Sequence, residues 1–303
     1  MQKAVSLLKN TIGLNNKQSA TKLIYNPESG ICELVTAYNV DIEDTGSVSR
    51  RKGFGVTAVT DSVHSLFYEK SDCLFVSGTT LYRLNFDYSK TSVKTGLTSG
   101  LRVWYTQANN CVYYCNGVEK GYVKDGIWYN WAGSAYTGPI TTRRFSDPPV
   151  GTVLGFHNGR VYVGVDKNIW FSEYLAYAWF DMARNFIMME GNIRVIKGVT
   201  EGIYVSDEFS TYFFQGGDPS NFRLKLVDTK PIIKGTDCYV DVSKFKEINR
   251  KGIGVIWASS TSICLGLEDG TVMDLTGDRL VYPSSNYGCG AVINNNYICF
   301  LEE

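Results

Sequence analysis

LRVWYTQANNCVYYCNGVEKGYVKDGIWYNW, residues 101–131, reads as four short strands joined by tight turns. Leu101, Val103 and Tyr105 alternate with Arg102, Trp104 and Thr106; Val112 to Cys115, Gly121 to Val123 and Ile127 to Trp131 follow. The turns fall at Asn109-Asn110, Asn116-Gly117 and Asp125-Gly126. Asn-Gly and Asp-Gly supply the positive φ angles that tight hairpins need, and the flanking β-branched and aromatic residues suit a pleated, half-buried surface. A single sheet of this size cannot bury both of its faces. It must stack on copies of itself.

Working outward from this unit, its second strand, an apolar triplet after a turn, recurs as Leu74-Phe75-Val76, Val112-Tyr113-Tyr114, Val161-Tyr162-Val163, Ile203-Tyr204-Val205, Ile263-Cys264-Leu265 and Tyr297-Ile298-Cys299. The triplet centres lie 38, 49, 42, 60 and 34 residues apart. Four-stranded repeats of roughly 40 to 50 residues predict propeller blades, with insertions where the gap is long. One insertion, Glu173 to Asn185, is aromatic, and the expectation is that it folds over its own sheet.

At the N-terminus, residues 1–30 read as a short arm that either contacts a neighbour or frays, and residues 31–303 as the propeller. Cys32 to Gly53 holds a hairpin with no first half, and Gly288 to Phe300 a hairpin with no second half. A ring of blades closes most simply if the N-terminal strands complete the C-terminal blade, because closure removes two sheet edges. The expected fold is therefore all-β: a six-bladed β-propeller of five whole blades and one composite blade.

Lys and Arg together number 30, as do Asp and Glu, so the formal net charge is zero and bulk polyanion binding is excluded, though local basic patches remain allowed. Eight cysteines show no zinc-knuckle spacing and several replace an apolar strand residue, which predicts reduced, structural thiols. No signal-peptide core and no membrane span are visible, so synthesis and assembly in a cytoplasm are expected.

Catalytic chemistry is sparse. There is no phosphate loop, HExxH or GxSxG, and His64 and His157 sit in strand-like or turn contexts without a nucleophile at the spacing that catalysis would predict. A propeller glycosidase needs only two carboxylates facing a pocket, for which Asp72, Asp166, Asp207 and Glu268 are candidates, but each sits at a turn where acidic residues are favoured anyway. Asn39 to Gly46 lacks the alternating ligands of a calcium loop. No catalytic residue, metal or cofactor is expected.

Gly13-Leu14-Asn15-Asn16, then Ala37-Tyr38-Asn39-Val40-Asp41-Ile42 and Thr45-Gly46-Ser47-Val48-Ser49-Arg50-Arg51-Lys52-Gly53, resembles the opening of bacteriophage tail nozzle and stabilisation proteins. The resemblance implies a virion structural protein: a nozzle-like ring of several copies, sixfold by family expectation, in the virion tail. Such a ring would line the channel for genome DNA, bind the head–tail adaptor or other tail proteins, and assemble in the host bacterial cytoplasm. The contact residues chosen for partner or DNA are Arg50, Arg51, Lys52, Arg143 and Arg144, because paired arginines in a turn grip carboxylates or phosphates. Lys244 and Lys246 join them from the basic gap at Val227 to Lys251, which faces DNA or is a solvated loop. The alternative is a monomeric propeller that recognises glycan or protein, with Trp104, Trp128 and Trp131 available to stack on sugars.

Overall fold

The structure, a computed structural model, describes residues 10–26, 31–43, 45–51, 53, 62–69, 72–133, 143–245, 248–294 and 296–302. Among them the only helical pieces are single 3-10 turns, and every other regular element is a strand. The chain opens with β1 (Asn10–Leu14), β2 (Tyr25–Asn26) and β3 (Ile31–Leu34) in one sheet, order β1-β3-β2, followed by a separate hairpin of β4 (Val40–Ile42) and β5 (Val48–Arg50).

Five four-stranded antiparallel meanders come next, each with its strands in chain order. The first holds β6 (Val63–Glu69), β7 (Asp72–Ser77), β8 (Thr80–Leu84) and β9 (Lys90–Lys94). The second, β10 (Trp104–Ala108), β11 (Cys111–Cys115), β12 (Lys120–Lys124) and β13 (Ile127–Tyr129), is the stretch read first. Its turn residues Asn109, Asn110, Asp125 and Gly126 all have positive φ, at 48°, 58°, 51° and 79°. That chemistry sets the register, Ala108 facing Cys111 and Lys124 facing Ile127. The third sheet holds β14 (Val153–His157), β15 (Arg160–Val165), β16 (Asn168–Phe171) and β17 (Phe186–Met188). The fourth holds β18 (Val195–Val199), β19 (Gly202–Ser206), β20 (Thr211–Gln215) and β21 (Arg223–Asp228), and the fifth β22 (Cys238–Asp241), β23 (Ile253–Ala258), β24 (Ile263–Gly266) and β25 (Val272–Asp274). A hairpin of β26 (Gly288–Ile293) and β27 (Asn296–Leu301) ends the described chain.

The sheets stack face to face, and the core lies between consecutive sheets. Leu74, Leu81, Val112 and Tyr114 fill the space between the first and second; Tyr113, Trp131, Leu154 and Phe180 that between the second and third; Tyr162, Ile196 and Phe214 the next; Tyr204, Phe213 and Trp257 the one after. Second strands have both faces covered, which is why every residue of β11 and β19 is buried. Each fully buried Val, Ile or Leu there contributes about 1.5–3 kcal/mol, and that driving force explains the recurrent apolar triplet. The first strands of the second, third and fourth sheets lie side by side, β10 next to β14 and β14 next to β18. β14 and β18 approach so closely that a Cβ on Gly198 would overlap the Phe156 carbonyl, and one on Gly155 the Ile196 side chain.

Two expectations are corrected. Among the described residues the N-terminal strands do not complete the C-terminal hairpin: β26 pairs with β27 and bonds on its other side to Lys234 and Gly235, whose carbonyls accept from the Gly288 and Gly290 N–H groups at 3.0 and 2.9 Å, while β4 pairs with β5. Residues of the arm instead bond the connector ahead of β26, where Asn16 donates through Nδ2 to the Val281 carbonyl and accepts from the Val281 N–H, each at 2.7 Å. The fifth sheet is also shifted by one strand. Ile263-Cys264-Leu265 lies in its third strand, not its second, because β22 occupies part of the segment read as a basic gap.

Candidate functional site

Arg143 leads to a polar cleft. It belongs to a strap, residues 143–147, that crosses the Glu173 to Asn185 insertion and is fixed there by a Ser146 N–H to Phe180 carbonyl bond of 2.8 Å. The insertion packs between the third sheet and the second, with Phe180 fully buried against Trp131 and Tyr177 against both Tyr113 and Phe156. This places Asp181, Glu173 and Asn185 beside the strap. Arg143 donates to Asp181 Oδ2 at 2.9 Å through Nε, and through its terminal nitrogen to Glu173 and, at 3.3 Å, to Asn185 Oδ1. The Glu173 bond, with Asp181, raises the guanidinium pKa further above its ordinary value despite partial burial.

Arg160, first residue of β15, points into the same cleft. Its terminal nitrogens donate to the Ser172 carbonyl at 2.8 Å and to Asp218 Oδ2 at 3.2 Å, while its Nε is buried without a hydrogen-bond partner. Asp218 comes from the fourth sheet, on the 3-10 turn between β20 and β21, where it accepts from the Ser220 N–H at 2.9 Å and hydroxyl at 2.7 Å. Those two bonds, and then the charge of Arg160, hold its carboxyl below the ordinary range. Arg184, Ser220, Phe171, Phe186 and Ile187 complete a cleft of about 380 Å³ between the third and fourth sheets.

Charge accounting says what the cleft can accept. Arg143, Arg160 and Arg184 face Glu173, Asp218 and the nearby Asp181, three charges of each sign. A bare anion would meet carboxylates, and an apolar ligand would leave polar groups unpaired. A ligand carrying several hydroxyls can donate to the carboxylates and Asn185 and accept from the guanidiniums, with Phe186 offering a half-exposed ring.

The remaining residues singled out in the sequence are dispersed. Arg50 and Arg144 are exposed, Arg51 pairs with Asp41 at 3.0 Å, and Lys52 and Lys246 lie outside the described residues. Lys244 lines a different cavity of about 300 Å³, mostly apolar, between the fifth sheet and β27. Trp131 is buried and donates to the Tyr177 carbonyl at 2.9 Å, and Trp128 donates to the Tyr114 hydroxyl at 2.8 Å. Trp104 carries Arg102 and Lys234 against its ring. Asp207 accepts from the Phe209 and Ser210 N–H groups of its own turn and from the Gly191 N–H of the connection into its sheet, Glu268 from Thr200 and Ile253, Asp72 lies 3.7 Å from Arg83, and Asp166 sits in a turn at φ 49°. These carboxylates serve separate turns and form no facing pair. His157 bonds the Gly216 carbonyl at 2.9 Å and His64 the Ser65 hydroxyl at 2.8 Å; burial lowers both imidazole pKa values. All eight cysteines are free thiols. Among the described residues no group of three His, Cys, Asp or Glu could hold a metal, and no helix is long and apolar enough to cross a membrane.

No protein-family model matches the chain, and no curated protein matches it by sequence. Solved structures do. An auxiliary nutrient binding protein from Bacteroides thetaiotaomicron matches with a TM-score of 0.50 at 9% identity, over 78% of this chain and 65% of its own. One from Bacteroides ovatus matches at 0.47 and 8%, over 72% and 58%, and the N-terminal domain of a nucleoporin at 0.47 and 11%, over 84% and 76%. The chain thus spans less than two thirds of the length of either nutrient-binding protein. At these identities the likeness concerns the fold: all-β, built of separate propeller-like sheets of two to four strands.

These findings correct the phage reading. The similar structures are binding proteins and a nucleoporin domain, not tail proteins, so the nozzle resemblance, the sixfold self-associated ring, the adaptor and DNA partners and the virion-tail location are withdrawn. The residues behind the resemblance have local duties. Asn15 donates to Glu33 at 3.1 Å, Asn16 ties the arm to Val281, Asp41 pairs with Arg51, and Gly46 turns at φ 79° against Thr11. Asn, Asp, Gly and Arg around hairpins recur wherever turns must be capped, so the motif reports turn chemistry.

Proposed function

We propose that the protein is a monomeric binding module, not an enzyme, that holds a small polyhydroxylated ligand of the sugar class in the cleft between the third and fourth sheets. The observation that carries this reading is the charge-balanced set of Arg143, Arg160, Glu173, Asp218 and Asn185 around a cleft of about 380 Å³, with Phe186 at its rim. Guanidiniums already oriented by carboxylates lose little freedom on binding, so the site is pre-organised for hydroxyls. The reading includes a body at 31–303 with an appended arm at 1–30, and a six-bladed ring in which the β26–β27 hairpin is the sixth blade.

A glycan array followed by calorimetry on the hits tests it. A saccharide should bind the wild-type protein, and Phe186→Ala should weaken it about tenfold, the value of a stacked ring, without changing the fold. Absence of saccharide binding, or a hit indifferent to Phe186→Ala and to Asp218→Asn, sinks the reading.

A further inference from the structure

A second, unlike cluster lies at the entry to the first strands of the second, fourth and fifth sheets. Arg102 sits just ahead of β10, Arg194 just ahead of β18, and Lys234 and Asp237 ahead of β22. Arg102 reaches across to donate to the Gly288 carbonyl at 2.7 Å, and its guanidinium lies 4.6 Å from the Trp104 ring centre. Lys234 holds its ammonium 4.8 Å from the same ring centre and has no hydrogen-bonding side-chain partner among the described residues. Arg194 donates to Asn286 Oδ1 at 3.1 Å. None of these three cations has a carboxylate within ion-pair distance among the described residues. One carboxylate is close by: Asp237, 8% exposed, whose Oδ2 takes Lys197 at 3.2 Å and whose Oδ1 is buried with no hydrogen-bond partner.

Gathering three unpaired cations in a half-buried place costs free energy through mutual repulsion and desolvation. The cost is visible in Lys234, pulled down to about 8 by burial first and by Arg102 next. An anion would relieve it. Asp237 narrows the choice, because its free oxygen can accept a proton but repels a fully deprotonated oxyanion.

We propose that the cluster of Arg102, Arg194, Lys234 and Asp237 binds a hydrogen phosphate group, as the free ion or as a monoester, with the P–OH donated to Asp237 and the charged oxygens facing the three cations. Sulfate matches the size and charge but carries no proton for Asp237. This site is independent of the sugar-class cleft and shares no residue with it.

Calorimetry on the intact protein at pH 6, where a monoester with its second pKa near 6 keeps its P–OH in about half of the molecules, with inorganic phosphate, glucose 6-phosphate and sulfate tests the proposal. At least one of the phosphates should bind at least about tenfold more tightly than sulfate, one charge-assisted hydrogen bond's worth. Phosphate without glucose 6-phosphate assigns the free ion, and the reverse assigns the ester. Lys234→Met should weaken the bound phosphate about tenfold, and Asp237→Asn should erase the preference over sulfate. Equal affinity for sulfate in the wild-type protein, or no binding of either phosphate below about 1 mM, overturns the proposal even if the Asp237 variant fails to fold.

Discussion

Lys234 gives the protein a pH signature that can be checked without any ligand. The groups acting on its ammonium are Arg102 and Arg194, which lower its pKa along with burial, and Cys115 and Asp237, which oppose them. Its folded value, about 8, lies below the ordinary lysine value, so between about 8 and the ordinary value the unfolded chain binds the extra proton. This group therefore makes stability rise as pH rises through that window, and costs stability in full below it. Urea midpoints at pH 7, 8.5 and 10 should climb more in the wild-type protein than in Lys234→Met; parallel curves would contradict the assignment. Arg143 acts in the other direction. Replacing it with Met strands Asp181, which is almost fully buried, without its counter-charge, and should cost about 3 kcal/mol, read as a fall of roughly 6–10 °C in Tm. Phe186→Ala in the same cleft should leave Tm nearly unchanged.

At the scale of elements, the sheets most legible in the sequence are those whose turns carry Asn, Asp or Gly at positive φ. The second sheet was readable strand by strand because Asn109-Asn110 and Asp125-Gly126 bracket runs of β-branched and aromatic residues. β22 was not readable. Its Cys238-Tyr239-Val240-Asp241 is short and buries only Val240 fully. Lacking the apolar triplet, it passed for loop and shifted the fifth sheet by one strand. The cleft was half legible: Arg143 stood out as part of an arginine pair, but its partners come from an insertion 30 to 42 residues away and Asp218 from the next sheet. Arg102 and Arg194 carried a signal that went unused, an Arg-Val step ahead of the first strand in two repeats. Close approach of β14 and β18 yields a test of the stacking itself. Gly198→Ala should lose about 1–3 kcal/mol from overpacking, whereas Gly53→Ala, whose added methyl meets no atom of the described residues within 4 Å, should be neutral. Equal effects of the two would contradict the packing of the first strands.

For the whole molecule, stacked sheets form a rigid frame on which loops and strand ends from different sheets meet, so polar groups far apart in sequence converge at fixed geometry. Two such convergences differ in charge. Between the third and fourth sheets, guanidiniums and carboxylates cancel; around Trp104, the cations Arg102, Arg194 and Lys234 have no carboxylate within ion-pair distance among the described residues. A monomeric module should sediment as a single species near 33.8 kDa at all concentrations, and a closed ring of copies at any concentration would contradict it. The most direct test of the sugar-class cleft is a crystal structure of the protein bound to the strongest saccharide hit. Density for the sugar beside Phe186, with hydroxyls bonded to Arg160, Asp218 or Glu173, is the predicted result, and a sugar bound elsewhere with that cleft filled by solvent would contradict the account.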